Sequence, residues 1–74
     1  MSAAKLVYKA NQIATFFQSQ SPDEAASGVA THINKFWDPR MRRQLAEILR
    51  QEDSGLKPLV VEAAKDIHFP ENAA

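Results

Sequence analysis

The sequence contains no cysteine, which excludes disulfides, thiolate-held zinc, iron–sulfur ligation by this chain and thiol nucleophiles. It holds two glycines, Gly28 and Gly55. Standing so far apart, they cannot build the glycine-rich turn that cradles a nucleotide phosphate. The two histidines, His32 and His68, show none of the paired spacings that set metal ligands on one helical face. Both read as partly exposed surface or interface residues. No apolar run approaches the roughly 18 residues of a membrane span, and the stretch from Met1 to Lys9 lacks the apolar core and cleavage site of a signal peptide. The expectation is a soluble, intracellular protein of the cytoplasm, with no membrane partner.

Charge of one sign is also missing: nine Lys and Arg balance nine Asp and Glu, with a sequence pI near 6.7. Nucleic-acid-binding domains are usually strongly basic, so a general polyanion binder is not expected. What is present is 74 residues with 45% hydrophobic and 24% charged content. That is enough for one small folded domain and excludes the low-hydrophobicity signature of disorder. Residues 1–74 read as one unit with an ordered core over about 4–68. A domain this small holds only about 5 kcal/mol of net stability.

No alternation of apolar and polar residues lasts long enough for a half-buried strand. Helical spacing is found instead. Leu6, Ala10, Ile13, Ala14 and Phe17 fall on one face of a 3.6-residue period, predicting a helix over Ala4 to Gln18. Ser21-Pro22-Asp23-Glu24 offers a capping hydroxyl, a proline at the first helical position and two carboxylates beside the positive end of the dipole. A second helix therefore starts there, with Ala26, Val29, Ala30, Ile33 and Trp37 inward and Phe36 at the margin. Gly28 falls inside that helix at a cost of about 1 kcal/mol against Ala, which points to a close helix crossing. Pro39 disfavours a helical Asp38, and Asp38 can cap a third helix from Pro39 to about Gln51. Met41, Leu45, Ile48 and Leu49 face inward on it. After a loop over Glu52 to Gly55, a shorter helix runs from Pro58 to about Ile67 with Leu59, Ala63 and Ile67 buried and Val60 beside them. The tail from Phe69 to Ala74 has no period and is expected to fray. The fold class is all-α: a small bundle of three to four short helices.

No nucleophile–base pair or pocket of carboxylates can be assembled; the acidic pairs Asp23-Glu24 and Glu52-Asp53 read as a dipole complement and a solvated loop. No catalytic, cofactor-binding or metal-ligating residue is therefore assigned. The informative stretch is Lys35-Phe36-Trp37-Asp38-Pro39-Arg40-Met41-Arg42-Arg43, where aromatics and cations crowd a proline-set turn. Arg40, Arg43, Glu47 and Arg50 share an outward arc, readable as a solvated face or as a docking surface, since Trp, Tyr and Arg are enriched at interface hot spots. Tyr8, Phe16 and Val61 point away from their core stripes and can form a patch. Trp37, Arg40 and Arg43 are the first-choice partner contacts, with Phe36, Tyr8 and Phe16 behind them. Trp37 also lies on the core stripe.

Ala10-Asn11-Gln12-Ile13-Ala14 with Phe16-Phe17, then Val29-Ala30, His32-Ile33 and Lys35-Phe36-Trp37-Asp38-Pro39-Arg40-Met41-Arg42, then Leu56, Pro58-Leu59-Val60 and Glu62-Ala63, resemble the delta subunit of NAD-dependent formate dehydrogenase. The likeness spans about Lys5 to Ile67, and its central helix break is the specific part. It implies a cytoplasmic molybdenum- or tungsten-dependent complex oxidising formate to carbon dioxide. Molybdopterin guanine dinucleotide, iron–sulfur clusters and FMN would lie in the larger subunits, and the large molybdopterin-containing alpha subunit would be the partner. The small subunit would be a non-catalytic accessory that stabilises the alpha subunit or assists insertion of its cofactor, staying bound or leaving after assembly.

The rival is a helix-turn-helix nucleic-acid or regulatory module with Arg40, Arg42 and Arg43 on a recognition helix. Residues 39–50 carry four arginines against Glu47, which favours it. Residues 51–74 carry Lys57 and Lys65 against five acids, which would repel phosphate.

Overall fold

The computed structural model describes residues 2–70, which form four α-helices, a closing 3-10 turn and, among the described residues, no strand. Helix α1 spans Ala3–Phe17, and Ser2 caps it by accepting a 3.2 Å bond from the Lys5 amide. Helices α2 (Pro22–Phe36), α3 (Pro39–Leu49) and α4 (Pro58–Ala63) each begin on a proline. Proline has its φ already fixed for a helix and lacks an N–H that the first turn could not bond.

The caps divide between prediction and correction. Asp38 is extended, and its carboxylate accepts a 2.8 Å bond from the Met41 amide, so it starts α3 as expected. The Ser21 hydroxyl makes no capping bond. Residues Ser21 to Glu24 are all exposed, so water can satisfy the first-turn amides while Pro22 and the two carboxylates favour the start. At the other end, α3 stops two residues short of Gln51. The Arg50 and Gln51 amides bond back three residues to Glu47 and Ile48, tightening the exit.

The fourth helix departs most from its expected range. Its α-helical part ends at Ala63, and Ala64–Asp66 is a 3-10 turn. The side chain of Asn34 explains the break. Its Nδ2 donates to the Asp66 carbonyl at 3.0 Å, and its Oδ1 accepts from the His68 amide at 2.8 Å. The chain is thereby drawn onto α2 and leaves Ile67 extended. Val60 and Ala63 are the fully buried residues of α4, Ala63 as expected, while Leu59 only packs beside the core, so that Leu59 and Val60 exchange their expected places.

The core joins all four helices. Leu6, Val29, Ile33, Leu45 and Val60 are its largest fully buried side chains. Between them stand Ala10, Ala14, Ala26, Ala30 and Ala63, whose single methyl groups let helix axes approach closely. Gly28 marks a close approach: a Cβ there would lie 2.6 Å from the ring of Phe17. The tail is better fixed than expected as far as Phe69, which packs on the core; positions 71–74 of the expected frayed segment lie outside the described residues.

Candidate docking surface

Two side-chain amides hold the loop before α4 and the segment after the 3-10 turn. Asn11, on α1, donates to the Gly55 carbonyl at 3.0 Å and accepts from the Lys57 amide at 2.8 Å, as Asn34 does for the segment after the 3-10 turn. Each amide offers a donor and an acceptor, so each clamps one backbone carbonyl and one amide. Periodicity gives no warning of either role, because both residues sit on helix flanks where polar side chains are ordinary.

At the α2–α3 corner the chain turns within two residues. The Trp37 amide donates to the Ile33 carbonyl and closes α2, and Pro39 opens α3. Trp37 is only 7% exposed and belongs to the core cluster. Burial removes it from the surface on which the sequence placed it as a first-choice contact. It supports the corner from beneath. Arg40 and Arg43 are exposed, and the one ion pair among the described residues, Lys65 with Glu62, involves neither. That pair raises the Lys65 ammonium pKa, first through the hydrogen bond and then through the charge of Glu62. Arg42 is different. One guanidinium nitrogen donates to the His68 carbonyl and its Nε is buried without a partner, so it fastens the tail and does not face outward with Arg40 and Arg43.

The remaining exposed aromatics gather along α1 and α2. Phe16 is 75% exposed, Phe36 66% and Tyr8 65%. Gln12, Ile13, Phe16, Phe17 and His32 line an open groove of about 280 Å³ between the two helices. Phe16 and Phe17 meet edge to face at 5.0 Å between ring centroids. The His32 ring lies 4.8 Å from that of Phe36, above which Lys35 Nζ stands at 5.7 Å. Val61, exposed on α4, is not among the residues lining this groove.

Among the described residues no group of three or more His, Asp or Glu side chains is placed to hold a metal, and no helix is long and apolar enough to cross a membrane. The arrangement is one of exposed rings and free cations over a small rigid core.

Residues 5–64 match the model of the NADH-dependent formate dehydrogenase delta subunit family, FdsD. The chain belongs to that family. The match runs from the first turn of α1 into the 3-10 turn, so the groove, the corner and both clamping asparagines lie inside it, while the segment that Asn34 holds, at Asp66 and His68, lies just beyond. No curated protein and no solved structure matches the chain. Family membership makes it a subunit of an enzyme complex with partner subunits. It gives the helix-turn-helix reading no support, and the tethering of Arg42 takes one arginine from the recognition helix that reading requires.

Proposed function

We propose that this delta subunit is a non-catalytic accessory protein that docks on the large molybdopterin-containing subunit of a cytoplasmic formate dehydrogenase, stabilises it and assists insertion of its cofactor. The observation that carries this reading is the distribution of aromatic side chains. Of six aromatic residues, Tyr8, Phe16 and Phe36 are largely exposed, while Trp37 is the one aromatic of a buried cluster otherwise made of aliphatic side chains, five of them alanines. A domain stabilised by only about 5 kcal/mol would gain from burying those rings, and a second protein surface is where they can be buried.

Arg40 and Arg43 supply the polar part of the contact. They are free to pair with carboxylates across an interface, where complementary charge sets register and rate of encounter. Phe36, four residues before Arg40, gives that corner an apolar anchor, with Phe16 and Tyr8 on α1 extending it. In this reading molybdopterin guanine dinucleotide, the iron–sulfur clusters and FMN belong to the partner subunits. The chain has no thiolate with which to share a cluster. Binding only the folded, loaded form of the large subunit would stabilise that form by mass action.

The test is expression of the complex with and without this chain. The large subunit made alone is expected to carry less molybdenum or tungsten and to lose activity faster on storage, and the purified small chain is expected to oxidise no formate. A large subunit of full metal content and unchanged half-life in its absence would refute the reading.

A further inference from the structure

We infer that the groove between α1 and α2 receives an amphipathic helix of the partner subunit that carries apolar anchors on one face and carboxylates toward the Lys9–Lys35 end. This deepens the docking reading above and rests on it. The groove has an apolar floor and wall in Ile13, Phe17 and Phe16. Its polar lining groups, Gln12 and His32, make no hydrogen bond within the described chain, leaving a donor and an acceptor on each for an incoming segment. Two neighbouring helices offer no free strand edge, so an incoming chain cannot gain backbone hydrogen bonds by extending a sheet. A helix that satisfies its own backbone and inserts side chains at helical spacing is the form that fits.

Charge selects the chemistry of that helix. The only charged residues in α1 are Lys5 and Lys9. Phe17 packs against Gly28, and Ile13 and His32 share the groove, so the helices run antiparallel. One further turn along each brings Phe36 level with Lys9. Lys35 stands above the Phe36 ring, and Arg40 follows Pro39 in the first turn of α3. This end of the groove is cationic, whereas the acids of α2, Asp23 and Glu24, stand in its first turn at the opposite end. A docked helix with its carboxylates at the Lys9–Lys35 end meets opposite charge, and the reverse orientation sets those carboxylates against Asp23 and Glu24.

The test uses the full chain reconstituted with the large subunit. Phe16→Ala with Phe36→Ala is expected to weaken assembly at least tenfold with an unchanged thermal midpoint, because both rings are mostly outside the core. Lys9→Glu with Lys35→Glu is expected to weaken it too, more at low salt than at high salt. A photoreactive phenylalanine analogue at position 36 is expected to cross-link to a large-subunit helix containing Asp or Glu within one turn of the linked residue. Assembly of the double-alanine variant within twofold of the unaltered chain would overturn the proposal. So would cross-links to a second copy of this chain or to a segment without carboxylates. Failure of the unaltered chain to bind the large subunit would instead overturn the docking reading itself.

Discussion

At Asp38 the backbone and one carboxylate decide how two helices meet. Its Oδ1 accepts from the Met41 amide, and its carbonyl accepts from the Arg42 amide, so a single residue satisfies two amides at the start of α3, directly after Trp37 has closed α2. Replacing a capping Asp by Ala typically costs about 1 kcal/mol. Asp38→Ala should lower the urea midpoint by a corresponding amount without changing the slope. Gly28 carries an opposite lesson. In an isolated helix Gly28→Ala would gain about 1 kcal/mol of propensity. Here the new methyl meets the Phe17 ring at 2.6 Å, and overpacking costs about 1 to 3 kcal/mol. The expected outcome is a net loss of stability that Phe17→Leu relieves in the double variant, measured as a non-additive cycle. The sequence showed a glycine out of place, and only the neighbour across the helix crossing shows why.

Among the elements, α4 shows the competition between local pattern and tertiary contact. Its apolar spacing predicts one helix to Ile67, yet Asn34 takes the Asp66 carbonyl and the His68 amide out of any helical ladder. Arg42 holds the His68 carbonyl. Asn34→Ala removes two hydrogen bonds that are partly open to water, each contributing about 1 kcal/mol or less. The global midpoint should fall modestly, while the His68 amide should lose most of its hydrogen-exchange protection. Unchanged protection at His68 would show that Ile67 and Phe69 hold the segment by packing alone. The helix starts were legible from Pro22, Pro39 and Pro58 because proline acts on its own backbone. The end of α4 was not, because its cause lies more than thirty residues away.

For the whole molecule, the decisive difference is between Trp37 and the arginines beside it. Removing a buried Trp typically costs about 3 to 5 kcal/mol, nearly all the stability of a domain this size. Trp37→Ala should therefore leave the chain largely unfolded by circular dichroism at 25 °C. Arg40→Ala with Arg43→Ala should fold with an unchanged midpoint and lose affinity for the large subunit, most clearly at low salt. A double variant that assembles normally at every salt concentration would remove the corner from the docking face and leave the α1–α2 groove as the contact.

By itself the sequence determined the all-α class, the order and number of the helices and most of the inward face, because hydrophobic period, proline and capping residues act over a few positions. The run from Lys35 to Arg42 also carried the family likeness, being a local pattern fixed by one turn. The tertiary structure decided which members of that run are exposed. Trp37 is turned into the core and Arg42 is spent on the tail, while Phe36, Arg40 and Arg43 remain outside. It also decided that Phe16 lines the α1–α2 groove and that Phe36 packs against His32 on the same groove. Exposure and juxtaposition depend on how helices pack across gaps of many residues, and a period along one helix says which face is apolar without saying what will cover it.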